Sequence, residues 1–369
     1  MPLSSVPPPK PAAHINSLQP YEAGKPIAEV KRELGLTDVV KLASNENPLG
    51  PSPRAIQAIS GALANLHLYP EGSCPELRRV LAGYLSVNED ELIFGNGSDE
   101  LIHLIGITFL EEGDEVLQAV PTFVRYEAAA VLNRAKCVSV PMKDWAYDFN
   151  ALITGLSDRT RLIFLPNPNN PTGAYLSTAD VERLLASIPP RCIVCFDEAY
   201  YEYVDAADFP VALDYVRSCQ NVIVLRTFSK VYGLAGLRIG YGVARPEIVD
   251  ALNRVREPFN VNSLAQVAAA AALEDDDHRR RSKEMTAEGR TWLTAALGEI
   301  GVRAYPSQAN FLWVDTGRDG RKLFQALLHH GVIVRTGDIF GAPTFLRITV
   351  GTQRENERLI QALKEVTRS

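Results

Sequence analysis

The residues best suited to do chemistry in this sequence surround a lysine that follows an apolar run. Residues 221–225 are mostly β-branched, and the chain then continues through Thr227 and Ser229 to Lys230. Such a run predicts a buried strand that delivers Lys230 to its end. A glycine-rich segment follows and allows tight turns, so Arg238 can bring a second cation into the same pocket. On its own, however, a lysine at this position could simply extend to solvent.

Other reactive or polar residues follow further apolar runs, where the carboxyl ends of parallel strands meet and ligands of α/β sheets bind. They comprise a glycine-serine-acid turn, an aromatic ring, an amide, a carboxylate and a phenol: Gly97-Ser98-Asp99, Phe123, Asn170, Asp197 and Tyr200. Taken singly, they are explained equally well by a strand-to-helix turn, a core aromatic residue, a loop and a helix N-cap. Their repetition along one predicted sheet edge favours a shared site.

The glycine-serine turn predicts a phosphate site, because free backbone N–H groups at a helix N-terminus attract anions. We expect Ser98 to be the N-cap of that helix. A dinucleotide fingerprint is disfavoured, since Glu100 occupies the position of its third glycine.

Together these groups match the needs of pyridoxal 5′-phosphate, which requires a lysine for covalent attachment and an acid beside its ring nitrogen. Asp197 would keep that nitrogen protonated, while Tyr200 and Asn170 would hydrogen-bond the ring oxygen. Lys230 would carry the cofactor and move a proton. A lysine base needs a pKa of about 7 to 8 at neutral pH, which burial and the positive charge of Arg238 would favour.

The elements that position these residues alternate between helical patterns and short apolar runs. We predict strands at Glu91–Phe94, Glu115–Ala119, Lys136–Val140, Leu162–Leu165, Ile193–Phe196, Val222–Leu225 and Arg238–Val243. Alternation of this kind implies an α/β fold with a largely parallel sheet covered on both faces. A long helical stretch, residues 263–301, follows. Beyond it we predict strands at 310–314, 332–334 and 345–350, a helix at 321–330 and a terminal helix from Gln353.

This pattern predicts four regions. Residues 1–50 form an N-terminal arm and the start of a small domain, and residues 51–258 form the large cofactor-binding domain. Residues 259–301 form a connecting helix, and residues 302–369 form the small C-terminal α+β domain. The Pro-rich start of the chain is predicted to be an extended arm that lies on another surface.

Composition excludes several classes of function. The formal net charge is −6 and no long basic block occurs, which argues against nucleic acid as the main partner. No segment has the roughly 20 apolar residues needed to span a membrane, and no signal peptide is recognisable, so we expect a cytoplasmic protein. The five cysteines are expected to be reduced. Cys192 and Cys195 should point to opposite faces of one strand, which disfavours a redox pair or a metal site.

The motifs resemble those of fold-type I aminotransferases over nearly the whole chain, and the nearest branch is histidinol-phosphate aminotransferase. The segments that carry the resemblance are Tyr21 to Pro26, Leu42 to Pro48, Tyr69-Pro70, Gly97 to Glu100, Asn169 to Gly173, Asp197 to Tyr200, Ser229-Lys230 with Arg238, Val334-Arg335, and Leu346 to Ile348. Leu68 departs from the family pattern, which often has arginine before the Tyr-Pro pair.

The resemblance implies a large domain with a mostly parallel sheet, a small α+β domain and pyridoxal 5′-phosphate as cofactor. Lys230, Asp197 and Tyr200 would be catalytic. The cofactor would be bound by these three and by Gly97, Ser98, Asp99, Phe123, Asn170, Thr227, Ser229, Arg238 and Tyr69, the last reaching over from the second subunit of a homodimer. Arg347 would bind the carboxylate of the amino donor. Arg335 and Tyr21 would bind a substrate phosphate, and Asn45 would also contact substrate.

The principal hypothesis is amino transfer from glutamate to imidazole acetol phosphate in histidine biosynthesis. Three alternatives remain open on the sequence: transfer to aromatic 2-oxo acids, decarboxylation of an amino-acid phosphate such as threonine phosphate, and a non-enzymatic sensor domain of aminotransferase shape. The sensor is disfavoured because Lys230 and Asp197 are both present and no DNA-binding module precedes Tyr21.

Overall fold

The structure is a computed structural model that describes residues 9–18, 20, 24–218 and 221–368. In chain order, its strands are β1 (Val40–Lys41), β2 (Leu92–Gly95), β3 (Glu115–Val120), β4 (Lys136–Pro141), β5 (Thr160–Pro166), β6 (Ile193–Asp197), β7 (Val222–Thr227), β8 (Gly240–Ala244), β9 (Arg303–Ala304), β10 (Phe311–Asp315), β11 (Val332–Ile333), β12 (Arg335–Thr336) and β13 (Phe345–Thr349).

The helices are α1 (Ile27–Leu34), α2 (Pro53–Ala62), α3 (Pro75–Leu85), α4 (Ser98–Phe109), α5 (Arg125–Leu132), α6 (Phe149–Thr154), α7 (Thr178–Leu185), α8 (Ala212–Arg217), α9 (Pro246–Asn253), α10 (Ser263–Leu273), α11 (Asp276–Glu299), α12 (Gly320–His329) and α13 (Gln353–Arg368). Short 3₁₀ turns connect several of them.

The largest sheet in the described chain has the strand order β2-β8-β7-β6-β5-β3-β4. Strands β3 to β7 pair in parallel, whereas β8 runs antiparallel to both β2 and β7. All seven predicted strands of this sheet are present, with ends shifted by a few residues, so the α/β fold class is confirmed. The parallel strands end on one edge, where the predicted site residues follow them.

Both faces of this sheet are covered, as the continuous apolar runs predict. In β6, Val194 and Phe196 belong to one core cluster, whereas Ile193 and Cys195 belong to the other. Cys192 joins the first cluster, so Cys192 and Cys195 lie on opposite faces as expected.

Two smaller sheets complete the fold. One has the order β12-β13-β10-β9, and the other is the parallel pair β1-β11, which joins an early segment to the C-terminal region. The four-stranded sheet packs against α11, α12 and α13 through a separate apolar core. No helix of the described ranges is long and apolar enough to cross a membrane.

Three details differ from the expectations. The helical stretch 263–301 is two helices, because Asp275 caps α11 by accepting a hydrogen bond from His278 N. The predicted strand 332–334 is interrupted, since β11 pairs with β1 while β12 joins the four-stranded sheet. Gly97, rather than Ser98, is the N-cap of α4, and Ser98 is its first helical residue.

Candidate active site

Lys230 follows β7 at the edge where the parallel strands end. Its Nζ donates a long hydrogen bond of 3.4 Å to the carbonyl of Ser44 and lies 5.6 Å from the centre of the Tyr200 ring. Burial of the amine, followed by the positive charge of Arg347, lowers the pKa of Lys230 to about 8. Arg238 contributes in the same direction but less than Arg347. The amine is therefore partly neutral near physiological pH, as a nucleophile or base requires.

Asp197 ends the neighbouring strand β6 and is only 6% exposed. Its Oδ2 accepts a 2.7 Å hydrogen bond from the hydroxyl of Tyr126, and its Oδ1 accepts one from Ala199 N. Burial raises the pKa of Asp197, while these two bonds and the charge of Lys230 act in the opposite direction. A buried carboxylate of this kind needs a cationic partner, such as a protonated ring nitrogen.

A cradle for an anion lies between the start of α4 and the turn after β7. Gly97 has φ +78°, and a Cβ there would lie 2.5 Å from Nη2 of Arg238. A Cβ on Gly240 would lie 2.4 Å from Ser98 N. The positive φ at Gly97 and the close backbone contact at Gly240 favour glycine, and the cradle brings backbone N–H groups, the Ser229 hydroxyl and a guanidinium together. Arg238 itself has φ +57°, so its backbone is held in the left-handed region.

Thr227, Asp99 and Phe123 also face the cavity that contains Lys230. The Thr227 hydroxyl accepts a hydrogen bond from Ser229 N, which holds the turn that presents the lysine. The Asp99 carboxylate accepts a 2.7 Å bond from Arg125 Nε. The ring of Phe123 packs edge-on against Tyr126, with centroids 5.7 Å apart.

Tyr200, Asn170 and Asn45 connect this cavity to the four-stranded sheet. The Tyr200 hydroxyl accepts a 2.9 Å hydrogen bond from Asn45 Nδ2, and Asn45 also bonds the Thr349 hydroxyl. Asn170 Oδ1 accepts a 2.5 Å bond from Arg347 Nη1, so the amide nitrogen is the end that can donate to a ligand.

Arg347 and Arg335 occupy adjacent positions on neighbouring strands of the four-stranded sheet, because they are paired in the β12-β13 register. Arg347 is buried, and its Nη2 donates a 2.6 Å bond to the carbonyl of Ala43. Both arginines line a second cavity of about 550 Å³, which adjoins the roughly 520 Å³ cavity around Lys230. The two cavities share four lining residues, Phe123, Arg125, Asn170 and Arg347.

Two predicted site residues lie elsewhere. Tyr69 is 83% exposed and stacks on Phe259 with ring centroids 4.8 Å apart, and it does not line the cavity of its own chain. Tyr21 lies outside the described residues.

Sequence reasoning missed two contributors to the site. Tyr126 donates to Asp197, and its position three residues after Phe123, one turn along the chain, is the signal that could have revealed it. Glu198 and Arg226 form a buried ion pair beside the site, with Arg226 Nε 2.9 Å from Glu198 Oε2. Their placement directly after β6 and within β7 was visible, but the pairing depends on the sheet order.

The residues at this edge fit pyridoxal 5′-phosphate. Lys230 supplies an amine with a lowered pKa, and Asp197 is a buried acid able to pair with a ring nitrogen. The glycine-lined cradle at Gly97 and Gly240 suits a phosphate, and the aromatic residue Phe123 lines the cavity around Lys230. Within the described residues, no group of acidic, histidine and cysteine side chains could hold a metal ion.

Comparison with known proteins shows the family to which the chain belongs. The profile of the family "Aminotransferase class I and II" matches residues 37–363. Histidinol-phosphate aminotransferase of Moorella thermoacetica is 51% identical over 99% of this chain and 94% of its own, and that of Anaeromyxobacter is 50% identical over 96% and 98%. The solved structure of histidinol-phosphate aminotransferase from Sinorhizobium meliloti in complex with pyridoxal-5′-phosphate superposes with a TM-score of 0.89, at 28% identity, over 96% of this chain and 97% of that one. The chain therefore belongs to the class I and II aminotransferase family, with its high-identity relatives among the histidinol-phosphate aminotransferases.

Proposed function

We propose that this protein transfers the amino group of glutamate to imidazole acetol phosphate, giving histidinol phosphate and 2-oxoglutarate. The observation that carries the proposal is the pair of arginines opposite Lys230. Arg347 and Arg335 are cross-strand neighbours that line one cavity, and Arg347 also lines the cavity that contains Lys230. Names of relatives at 50% and 51% identity over nearly the full chain support the same reaction.

The two half-reactions present different anions at this cavity. Glutamate brings carboxylates, whereas histidinol phosphate has no carboxylate and brings a phosphate. We assign the donor carboxylate to the buried Arg347 and the phosphate to the half-buried Arg335, which lines the same cavity together with Leu18 and Phe340. Guanidinium groups suit both anions, because their paired N–H groups bind carboxylate or phosphate oxygens bidentately.

We assign proton transfer to Lys230. Lys230 lines the cavity that also contains Arg238 of the cradle and Arg347, and its lowered pKa allows it to accept and return a proton. When bound, pyridoxal 5′-phosphate supplies an electron sink that acidifies the carbon bearing the amino group. Asp197 would hold the ring nitrogen protonated, with Tyr126 orienting its carboxylate, while Tyr200 and Asn170 would donate to the ring oxygen.

The substrate assignment is tested with purified protein loaded with pyridoxal 5′-phosphate. We expect histidinol phosphate and 2-oxoglutarate to yield glutamate, with much lower kcat/KM for phenylalanine in place of histidinol phosphate. A preference for phenylalanine would replace the proposal with an aromatic aminotransferase, and carbon dioxide release from threonine phosphate would indicate a decarboxylase. Absence of turnover with every donor would favour the hypothesis of a non-enzymatic sensor domain.

We also propose that the active unit is a homodimer in which Tyr69 completes the site of the partner. The described surface around Tyr69 is unusually apolar, with Leu66 and Leu68 more than half exposed and Phe259 nearly so. Exposed apolar patches of this kind are typical of interfaces between chains. Tyr69 is largely exposed and does not line the cavity of its own chain, which supports a contribution to another subunit.

Mixing two inactive variants tests this arrangement. In a dimer of Tyr69→Ala and Lys230→Ala chains, a trans contribution leaves one intact site, so random mixing restores about a quarter of wild-type activity. A cis contribution restores none, because every site that keeps Lys230 then lacks its own Tyr69. Light scattering that shows a fully active monomer would also refute the proposal.

The sequence-based division at residues 50, 258 and 301 is proposed to describe the domains, with the seven-stranded sheet in the large one and the four-stranded sheet in the small one. Their separate apolar cores support it.

A cytoplasmic location stays a prediction from the sequence.

A further inference from the structure

A tryptophan joins the two sheets at a point where the backbone favours glycine. Asp144 and Trp145 are the central residues of a two-residue hairpin, closed by hydrogen bonds in both directions between Lys143 and Ala146. Both central residues have positive φ, +49° and +64°. Turns of this type prefer Asn-Gly, and a bulky residue in the left-handed region costs on the order of 1–2 kcal/mol. Backbone strain of this kind persists where another interaction holds it.

That interaction is an aromatic cluster on the four-stranded sheet. The ring of Trp145 lies 4.5 Å from Phe345, 5.6 Å from Trp313 and 6.4 Å from Tyr305, measured between centroids. The hairpin itself follows β4, the edge strand of the seven-stranded sheet. Trp145 therefore lies in a hairpin beside the edge of the seven-stranded sheet, and its ring packs onto the four-stranded sheet.

The cluster borders the strand positions that carry the anion-binding arginines. Trp313 is the cross-strand partner of Arg347, which in turn pairs with Arg335. Directly paired residues of antiparallel strands project from the same face, and Phe345 precedes Arg347 by one full pleat on that face. Trp145 thus packs on the face from which Arg347 reaches the cavity.

The cluster also reaches the cavity wall. Phe340 meets the Trp313 ring edge-on at 5.9 Å and lines the cavity together with Arg335 and Arg347. A shift of the Trp145 ring would be passed through Trp313 to this wall and to the arginine pair.

We propose that Trp145 is a positioning residue for both anion sites: it fixes the distance between the arginine-bearing sheet and Lys230 without touching substrate or cofactor. This inference rests on the proposed function. It extends the proposed function by making substrate affinity depend on a residue that is remote from the reacting atoms.

The test compares variants that separate the ring from the backbone. Trp145→Gly removes the ring and relieves the positive-φ turn, so a pure turn role predicts equal or better behaviour than wild type. We expect instead a KM increase of about tenfold or more for both glutamate and histidinol phosphate, because small misplacements of binding groups are costly. We expect kcat to change less and cofactor retention to stay unchanged.

Trp145→Phe keeps an aromatic ring and should recover most of the lost affinity. Trp292→Phe is the matched control, because Trp292 packs on the separate core of the four-stranded sheet, and it should leave both KM values unchanged. Near-ultraviolet circular dichroism provides a readout without turnover: the tryptophan signal of the Trp145–Trp313 contact should be lost in Trp145→Gly and Trp145→Phe but kept in Trp292→Phe.

The proposal is overturned if Trp145→Gly binds both substrates like wild type, or if its loss appears only as reduced stability or cofactor retention. If the wild type is active and Trp145→Gly is unaffected, only the positioning role of Trp145 is refuted and the substrate assignment stands. A wild type that fails to use histidinol phosphate refutes the substrate assignment, and the glutamate KM of the same variants still decides the role of Trp145.

Discussion

Replacing Tyr126 with phenylalanine removes one hydroxyl from the innermost part of the site. That hydroxyl donates a 2.7 Å hydrogen bond to Asp197 Oδ2, and both residues are nearly inaccessible to solvent. A hydrogen bond to a charged group contributes about 1.5–3 kcal/mol, which corresponds to roughly 10- to 100-fold in rate when the charge is needed in the transition state. We therefore expect Tyr126→Phe to lower kcat by about that factor.

The same variant should change the pH dependence in a defined direction. Burial raises the pKa of Asp197, and the Tyr126 hydroxyl opposes that rise. Removing the hydroxyl raises the pKa further, so the carboxylate becomes protonated at higher pH. The acid side of the kcat profile should then move towards neutral pH.

Steady-state assays across the acidic and neutral range measure both effects. Tyr147→Phe is the matched control, since Tyr147 is a phenol near Asp197 whose hydroxyl donates to the carbonyl of Pro166 instead. A Tyr126→Phe enzyme with wild-type kcat and an unmoved acid limb would refute the reasoning, as would an equal loss in the control.

Three further predictions concern other parts of the site. Arg347→Gln removes the charge that contributes most, after burial, to lowering the pKa of Lys230. The pH midpoint for reaction of the Lys230 amine of the apoprotein with pyridoxal 5′-phosphate should therefore rise above about 8. An unchanged midpoint would contradict this prediction. Gly97→Ala places a Cβ against the guanidinium of the cradle at positive φ, so cofactor dissociation measured by dialysis should be faster. Glu198→Gln removes the carboxylate that forms the buried ion pair with Arg226, which should cost about 3–5 kcal/mol in denaturant unfolding.

The sequence predicted the main sheet well because its signal is local. Apolar runs such as residues 193–196 and 222–225 lie in the sheet with both faces buried, so nearly every residue in them is apolar and the strands are easily recognised. The residues that follow each run meet at one edge, because parallel strands end together. Lys230 and Asp197 could therefore be placed in one site without knowing the order of the strands.

Features that depend on contacts between distant segments could not be predicted in this way. The bond from Tyr126 to Asp197 joins residues 71 positions apart, and the split between β11 and β12 occurs because β11 pairs with β1 across nearly the whole chain. Trp145 lies in a turn whose residues, Asp144 and Trp145, fit the preferred Asn-Gly sequence poorly. The local sequence otherwise gives no indication of the aromatic contacts of Trp145. Its aromatic partners come from residues 305–345, which no local pattern connects to it.

Two adjacent carboxylates, Asp197 and Glu198, have different roles: one lies in the candidate site and the other links two strands. Asp197 faces the cavity, whereas Glu198 turns away and pairs with Arg226 on the neighbouring strand. Glu198 N also donates to Leu225 O, so a backbone bond and an ion pair tie together the two strand ends that lead to Asp197 and Lys230. A buried ion pair contributes little net stability compared with an apolar pair of similar size, but removing only one of its partners is strongly destabilising. The acid and the amine thus follow two strand ends that are tied together, and the arginine pair to which we assign substrate choice is carried by the other sheet.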